Sequence, residues 1–292
     1  MQGKIGSAGF VRKTMNEHNL HAKKKYGQNF LTDQNILSSI IDAAELSKDT
    51  AVIEIGPGLG GLTERLCQAS GYVLCYEIDA ELIPVLRENL KNYKNFDVLH
   101  QDILEADIER DITERLAGFQ NIYVVANLPY YITTPIILGL LSKTDKIKRY
   151  VMMMQLEVAD RICGRPQTKD YNALSIAIAY RCEAKRVCRV PRTAFIPAPN
   201  VDSAVVRLDL YENKKYQAQN EKLFFEFIRQ CFVQRRKTLV NNLSLVYDKE
   251  LILNMLSEYH IPLTTRSEEL ELMDFIHLCD YLDKHNSKNN KN

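Results

Sequence analysis

The sequence predicts an α/β protein in which a parallel sheet is followed by a smaller all-helical C-terminal domain. Between Ala51 and Met154, short apolar runs typical of strands alternate with segments of helical periodicity, the pattern of a parallel sheet covered by helices. A glycine cluster directly follows the first of these runs, as in folds that bind a ligand at the end of a strand. After Asn220 only helical periodicity remains.

The individual elements follow from this periodicity. Asp33 is a plausible N-cap, because apolar residues at helical spacing begin three residues later. The predicted strands of the sheet are Ala51–Ile55, Tyr72–Ile78, Phe96–His100, Asn121–Ala126 and Tyr150–Met154. Helical patterns lie between them, for example Leu82–Leu90 and Pro135–Leu141. Further along the chain we expect a helix, two β-rich runs and three helices, the last behind a Thr265–Glu268 capping box: Ala173–Ala179, Ala184–Val190, Ala204–Leu210, Leu223–Val233, Leu251–Tyr259 and Glu268–Leu282.

These elements predict four segments. Residues 1–28 form a flexible basic segment, residues 29–212 the α/β domain, residues 213–284 the helical domain and residues 285–292 a disordered tail. The chain has 46% hydrophobic and 26% charged residues, no apolar run long enough for a membrane span, and no signal-peptide core. We therefore expect a cytoplasmic protein that has no membrane partner.

The cysteine content argues against a disulfide or metal site, and the charge distribution favours contact with a polyanion. The chain has seven cysteines and no CxxC pair, so neither a disulfide framework nor a metal site is predicted. The net charge is only +1, but residues 1–28 carry +5 and residues 181–192 carry +4, which leaves −8 for the remainder. Two such basic blocks favour local contact with a polyanion, although solvated loops and strand edges would give the same pattern.

A candidate cofactor site begins at the glycine cluster of residues 54–61. Glycines after a strand let a ligand approach the main chain, and Gly56, Gly58 and Gly61 also satisfy the dinucleotide pattern GxGxxG. Glu77 follows about twenty residues later, where an acid can accept hydrogen bonds from ribose hydroxyls. Asp102 is placed to accept a bond from an adenine amine or to cap a helix. These features fit either NAD or S-adenosylmethionine.

Asn127-Leu128-Pro129-Tyr130 at the end of the fourth predicted strand separates the two cofactors. The exocyclic amine of adenine is a poor nucleophile, because its lone pair is delocalised into the ring. The Asn127 side-chain oxygen and the Leu128 carbonyl can accept the amine hydrogens and localise that lone pair, while Tyr130 stacks on an extruded base. An ordinary loop with a proline turn is the structural alternative.

With these motifs the sequence resembles the small-subunit ribosomal RNA adenine N6-dimethyltransferases, which are relatives of the macrolide-resistance ribosomal RNA methyltransferases. The resemblance covers residues 23 to 285 and includes the segments Lys25–Leu31, Glu54–Gly60, Asn127–Tyr130 and Phe195–Ser203. It implies a Rossmann-like class I S-adenosylmethionine-dependent methyltransferase sheet as the catalytic domain. It also implies dimethylation of the N6 amine of two adjacent adenosines in small-subunit ribosomal RNA, during biogenesis of that subunit.

The resemblance also assigns site residues. Gln28–Leu31 closes over the cofactor, and Phe195 flanks the target base beside the catalytic segment Asn127–Tyr130. The expected contacts of S-adenosylmethionine are Gln28, Asn29, Leu31, Gly56, Gly58, Glu77, Ile78, Asp102, Ile103 and Asn127. The expected partner is ribosomal RNA in an assembling small subunit, bound by a monomer.

Basic residues supply the predicted RNA contacts, which position RNA through its phosphates without selecting sequence. These residues are Lys23, Lys24, Lys25, Arg186, Arg189, Arg229, Arg235, Arg236 and Lys237. We expect residues 229, 236 and 237 to share one face of a helix.

Three alternatives stay open at this point. A nicotinamide-dependent oxidoreductase explains Gly56–Gly61 and Glu77 but gives Asn127–Tyr130 no role. An RNA-binding assembly factor would use the same scaffold with catalysis secondary. Within the enzyme class, the target could instead be large-subunit ribosomal RNA or DNA adenine.

Overall fold

A sheet of seven strands forms the centre of the structure, which is a computed structural model describing residues 4–23 and 26–289. Its strands are β2 (Thr50–Ile55), β3 (Tyr72–Glu77), β4 (Phe96–His100), β5 (Asn121–Asn127), β6 (Ile147–Gln155), β7 (Cys182–Val190) and β9 (Ser203–Leu210). A separate two-stranded ribbon pairs β1 (Phe30–Leu31) with β8 (Phe195–Ile196) in antiparallel fashion.

The order of strands in the sheet is β4-β3-β2-β5-β6-β9-β7. The pairs β3–β4, β2–β3, β2–β5 and β5–β6 are parallel, which confirms the predicted parallel sheet for these five strands. Strand β9 runs antiparallel to β6, with Met152 opposite Val206. The periodicity of β9 did not indicate this direction, because a buried apolar run has the same pattern in either orientation.

Twelve α-helices connect and follow the strands in the described residues. They are α1 (Ala8–Glu17), α2 (Gln34–Ala44), α3 (Gly61–Ala69), α4 (Leu82–Asn89), α5 (Ile108–Arg115), α6 (Thr133–Lys143), α7 (Leu156–Ile162), α8 (Ala173–Arg181), α9 (Glu221–Cys231), α10 (Leu239–Leu243), α11 (Lys249–Glu258) and α12 (Leu272–Asn289). The predicted N-cap is confirmed: the Asp33 carboxylate accepts the backbone N–H groups of Asn35 and Ile36. In the part of the chain that the structure describes, no helix combines the length and apolar character of a membrane span.

Three local predictions were wrong. Helix α1 occupies part of the segment expected to be flexible, because its apolar side packs on the α/β core. Helix α12 begins at Leu272 rather than Glu268, since Ser267–Glu269 form a 3-10 turn in which Arg266, not Thr265, is the N-cap. Helix α12 also continues to Asn289, through most of the expected disordered tail; residues 290–292 lie outside the described part of the chain.

The chain divides into two compact units. The first comprises Met1–Ala159 and Lys185–Leu210, and the second comprises Asp160–Ala184 and Tyr211–Asn292. The second unit has its own apolar core, which includes Phe224, Phe227 and Phe275 with no measurable exposure. The helical unit thus contains residues 160–184, which the sequence analysis placed in the α/β domain, because α8 packs against α9 and α12.

The N-terminal residues pack beside the glycine loop of the first unit. Val11 of α1 joins a buried cluster with Leu59, Leu82 and Val85. Gly6 meets Gly61 so closely that a Cβ on Gly6 would lie 2.9 Å from the Gly61 Cα, which leaves no room for a side chain. The start of the chain therefore lies against the turn that leads into α3.

A network of four charged residues joins α2 to β6 and β9 in the first unit. Glu45 accepts bonds from Arg149 (2.8 Å) and Arg207 (2.7 Å), and Asp209 accepts bonds from the same two guanidinium groups (2.6 and 2.7 Å). The two arginines also donate to the Ala43 and Ala44 carbonyls at the end of α2. The bonds from Arg207 and then Arg149 lower the pKa of Glu45 to about 2.

This network predicts an acid-dependent loss of stability. Because the pKa of Glu45 falls from 4.5 to about 2 on folding, its contribution is present above pH 4.5 and disappears as the pH falls towards 2. Glu45→Gln should lower the free energy of unfolding at pH 7 by at most about 1 kcal/mol, since the side chain is largely exposed and its pairs are screened. Urea unfolding between pH 7 and 3 measures the difference, which should shrink on acidification. Glu114→Gln, in a simple surface pair with Arg110, is the matched control and should change little. A difference independent of pH would contradict the role of the Glu45 charge.

Candidate functional site

A cavity lies where β2, β3 and β5 end, at the carboxyl edge of the sheet in the first unit. Its empty space, open mouth included, is about 1080 Å³. Its walls come from the glycine loop, the residues after β3, β4 and β5, and a covering segment formed by residues 26–31. Among the lining residues are ten predicted cofactor contacts: Gln28, Asn29, Leu31, Gly56, Gly58, Glu77, Ile78, Asp102, Ile103 and Asn127.

The turn from β2 into α3 presents main chain to the cavity. Gly56 has a φ of +67°, which favours glycine, and a Cβ built there would meet open space. Gly58 has a φ of +57°, and a Cβ there would lie 3.1 Å from the Phe30 ring of the covering segment. Glycines at these two positions therefore keep the loop turned and allow the covering segment to approach it.

Glu77 is the charged group at the end of β3, and only 4% of its surface is exposed. One carboxylate oxygen accepts the Gly58 N–H (3.2 Å) and the other accepts the Asp79 N–H (2.9 Å). Burial raises the pKa of Glu77, although these two bonds oppose the shift. Each carboxylate oxygen has a further lone pair, so Glu77 can also accept bonds from two hydroxyls of a ligand.

A second buried acid, Glu54, lies on β2 and lines the same cavity. Burial raises the pKa of Glu54 to about 8, with a further contribution from the charge of Glu77. The Cys75 thiol lies 3.7 Å from its carboxyl group. Burial therefore disfavours the charged form of Glu54, whereas Glu77 has two backbone donors that stabilise a negative charge.

Asp102 follows β4 and does two things at once. Its Oδ1 accepts the Leu104 N–H (2.9 Å) within a turn, and the residue also lines the cavity. The helix-cap alternative for Asp102 was wrong, because the N-cap of the following helix, α5, is Asp107. Asp102 therefore remains a candidate acceptor in the cavity.

The segment Asn127–Tyr130 leaves β5 at the cavity. The Leu128 N–H donates to the Met153 carbonyl of β6 (3.0 Å), which fixes the direction of the chain as it leaves the sheet. The Asn127 amide nitrogen donates to the Asn29 carbonyl (3.1 Å), and this bond leaves the amide oxygen for another donor. The Pro129 carbonyl accepts the Thr133 hydroxyl at the start of α6 (3.0 Å). Leu128, Pro129 and Tyr130 all line the cavity.

The covering segment, residues 26–31, closes one side of the cavity and is held by β8 and Asp79 in addition to the bond from Asn127. Strand β1 pairs with β8, and the Gln28 amide donates to Asp79 (2.8 Å). Lys23 also donates to Asp79 (2.8 Å), and its backbone N–H donates to the Gln28 side chain. Burial opposes the charge of Asp79, but the bonds from Lys23 and Gln28 outweigh it and lower the pKa of this carboxyl. The sequence placed Asp79 near Glu77 without indicating that it holds the covering segment.

Phe195 is not brought to the cavity. Its side chain is 3% exposed and lies in the core of the first unit with Leu31, Val190 and Val205. The cause is β8, which pairs Phe195 with Leu31 and directs the ring inward. The structure therefore differs from the expectation, drawn from the resemblance, that Phe195 flanks the target base. Tyr131, which the sequence analysis did not assign, lines the cavity instead and is 54% exposed.

The basic residues predicted to contact RNA have different environments. Lys23 is engaged with Asp79 and Glu81, and Arg189 binds the Asp202 carboxylate at 2.7 Å. Lys24 and Lys25 lie outside the described residues. The exposed residues are Arg186, Arg189, Arg229, Arg235, Arg236 and Lys237.

The expectation of one helical face for residues 229, 236 and 237 was wrong. Helix α9 ends at Cys231, and residues 232–238 form the turn before α10. The buried side chain of Asn242 holds this turn: its oxygen accepts the Gln234 N–H, and its nitrogen donates to the Cys231 carbonyl. Arg235 makes one surface pair with Glu268 (3.3 Å).

The glycine turn, Glu77, Asp102 and Asn127–Tyr130 line one cavity, and this is the set of groups expected of an S-adenosylmethionine-dependent methyltransferase. The cavity fits this cofactor: Gly56 leaves open space at the loop, Glu77 retains acceptor capacity for ribose hydroxyls, and Asp102 offers an acceptor for the adenine amine. A nicotinamide enzyme would have no use for an amide oxygen and a tyrosine at the end of β5.

Comparison with known proteins identifies the family. The chain belongs to the ribosomal RNA adenine dimethylase family, whose model matches residues 19–284. It is 47% identical over 287 residues to ribosomal RNA small subunit methyltransferase A of Geobacillus sp. (strain WCH70), covering 97% of this chain and 99% of that protein. It is 44% identical over 284 residues to the protein of the same name from Streptococcus gordonii, covering 96% and 98%.

Two solved structures share the fold. A dimethyladenosine transferase from Plasmodium falciparum is 28% identical, with a TM-score of 0.73, and the match covers 89% of this chain and 98% of that one. The 23S rRNA methyltransferase ErmE is 27% identical, with a TM-score of 0.67, and the match covers 87% and 100%. Both expectations from the sequence, the class I methyltransferase fold and S-adenosylmethionine as cofactor, are confirmed.

Cofactor affinity tests the role of Glu77. Glu77→Ala removes a charged acceptor from the cavity, and one such bond contributes about 1.5–3 kcal/mol, so the dissociation constant for S-adenosylmethionine should rise roughly tenfold or more. Isothermal titration calorimetry measures the change. Asp97→Asn is the control, because Asp97 lies on β4 in ion pairs with Arg87 and Arg115 and does not line the cavity. Equal affinities of wild type and Glu77→Ala would remove Glu77 from the cofactor site.

Proposed function

We propose that this protein transfers methyl groups to the N6 amines of two adjacent adenosines in small-subunit ribosomal RNA, two methyls to each. The observation that carries the proposal is the position of Asn127–Tyr130 at the wall of a cavity that also holds the glycine loop and Glu77. Membership of the ribosomal RNA adenine dimethylase family supports the reaction, and relatives 44–47% identical that are named as small-subunit methyltransferases support the target.

The geometry indicates how the residues act on the amine. When bound, S-adenosylmethionine supplies an electrophilic methyl group. The Asn127 side-chain oxygen and the Leu128 carbonyl accept the two amine hydrogens, which draws the nitrogen towards tetrahedral geometry and localises its lone pair. Asn127 is oriented for this by the bond from its nitrogen to the Asn29 carbonyl, so closure of the covering segment also sets the acceptor. The Tyr130 ring stacks on the extruded base.

The RNA is held outside the cavity by phosphate contacts from exposed basic residues. Arg186 in β7, Arg229 at the end of α9, and Arg235, Arg236 and Lys237 in the turn before α10 supply these contacts. We further propose that the protein acts as a monomer in the cytoplasm on a partly assembled small subunit. The helical unit then provides RNA contacts, while the first unit provides the chemistry.

Product mapping tests the function directly. Small-subunit ribosomal RNA, naked and in partly assembled particles, is incubated with the protein and S-adenosylmethionine, digested, and analysed by mass spectrometry. We expect dimethyladenosine at two neighbouring positions. Asn127→Ala should retain RNA binding but lower the single-turnover rate by about 10²–10³, because an acceptor aimed at the reacting group is lost. Monomethyladenosine alone at saturation, or modification of large-subunit RNA only, would refute the proposal.

The salt dependence of RNA binding tests whether basic residues of the helical unit contact RNA phosphates. Arg235→Ala/Arg236→Ala should weaken RNA binding and reduce the slope of log affinity against log salt by about 0.7–0.9 for each phosphate that is no longer neutralised. The pair between Arg235 and Glu268 is exposed, so its loss should cost little stability. Lys222→Ala/Lys249→Ala removes the same charge from other exposed positions of the helical unit and serves as control. Filter-binding lines identical for wild type and the arginine variant would exclude these two residues from the footprint.

A further inference from the structure

A hydrogen bond joins Tyr130 of the catalytic segment to Ser203, the first residue of β9. The Tyr130 hydroxyl lies 2.5 Å from the Ser203 Oγ, and Ser203 has no exposed surface. Tyr130 lines the cavity, whereas Ser203 does not. The bond therefore links a side chain in the site to a buried polar group behind it, 73 residues away in sequence.

Ser203 occupies a fixed position. Ser203 is paired with Gln155 at the end of the antiparallel ladder between β6 and β9. The preceding residue, Asp202, accepts the Leu156 N–H with its carbonyl and binds Arg189 and the Arg192 N–H with its carboxylate. Four interactions thus hold the start of β9.

Tyr130 itself has less support from its own segment. It lies in the loop between β5 and α6. The neighbouring bonds run from the Leu128 N–H to β6 and from the Ile132 N–H and the Thr133 hydroxyl to the Pro129 carbonyl. A tyrosine ring can turn about two side-chain torsions, and its face must meet the base for stacking to contribute. A hydrogen bond at the far end of the ring restricts both torsions.

We propose that Ser203 is a positioning residue that holds the Tyr130 ring in the orientation that receives the target adenine. Ser203 acts through Tyr130 and does not touch substrate. The inference rests on the proposed function, because it assigns the ring face to an adenine of RNA. It also gives a role to the last residue of the Phe195–Ser203 segment, which the structure shows to be buried and turned away from solvent.

A purely structural role for the bond makes different predictions. A buried hydroxyl requires a partner, and Tyr130 would then serve only to satisfy Ser203. Removing either hydroxyl would in that case lower stability without a specific effect on methyl transfer. A positioning role instead predicts a change in single-turnover rate, shared by both hydroxyls, with cofactor binding unchanged.

The test is a double-mutant cycle with a conservative rescue. Ser203→Ala, Tyr130→Phe, the double variant and Ser203→Thr are compared with wild type at saturating RNA and S-adenosylmethionine. The measurements are single-turnover rates, cofactor affinity by calorimetry, and thermal unfolding midpoints. Each single variant should slow methyl transfer about 2- to 10-fold, the effect of one hydrogen bond. The double variant should be no slower than the slower single variant, and Ser203→Thr, which keeps the hydroxyl, should restore at least half of the wild-type rate.

The outcomes separate the two proposals. If the wild-type protein forms no dimethyladenosine on naked or on partly assembled small-subunit ribosomal RNA, the proposed function fails. If wild type is active and Ser203→Ala matches its rate, the positioning role fails. Independent, multiplying effects in the double variant also overturn it, because the two hydroxyls would not act through one bond. Ser203→Ala could also be slow because its fold is damaged. In that case its cofactor affinity and its thermal unfolding midpoint would both fall, and the bond would have a structural role only.

Discussion

Parallel pairing of β2 with β3 and β5 is the constraint on which the rest of the site depends. Parallel strands bring their carboxyl ends to one edge of a sheet, so the glycine turn after β2, Glu77 at the end of β3 and Asn127 at the end of β5 arrive together. Strand β6, parallel to β5, then fixes Leu128 through the Met153 carbonyl. Residues far apart in sequence thereby line one cavity.

Closure of this cavity depends on the N-terminal region. The β1–β8 ribbon and the bonds of Lys23 and Gln28 to Asp79 hold the covering segment against the glycine loop. Two acids, Glu54 and Glu77, line this cavity. Burial raises the pKa of both, and Glu77 accepts backbone N–H bonds that stabilise its negative charge. The two acids therefore differ in how well the site stabilises their charged forms.

The residues that we propose for contact with the base and those that we propose for contact with RNA phosphates lie in different parts of the chain. Asn127 is bonded to the covering segment and Tyr130 to β9, so the two groups that we propose to meet the adenine are held by separate long-range bonds. The basic side chains differ in their partners. Lys23 is paired with Asp79 and Arg189 with Asp202, whereas the side chains of Arg236 and Lys237 in the turn before α10 are exposed. Under the proposed function, methyl transfer and RNA affinity depend on different parts of the chain.

The sequence by itself determined the alternation of strands and helices, the start of α2 at Asp33, and the chemical groups at the strand ends, because periodicity, capping and turn residues act over a few neighbouring positions. It did not determine the direction of β9, the helix over residues 8–17, the turn at residues 232–238 or the burial of Phe195. Each of these depends on a partner distant in sequence: β6, the cluster around Leu59, the side chain of Asn242, and Leu31. The attachment of Asp79 to the covering segment and of Ser203 to Tyr130 belongs to the same class. Tertiary structure alone decided them, since hydrogen bonds across 51 and 73 residues leave no local pattern in the chain.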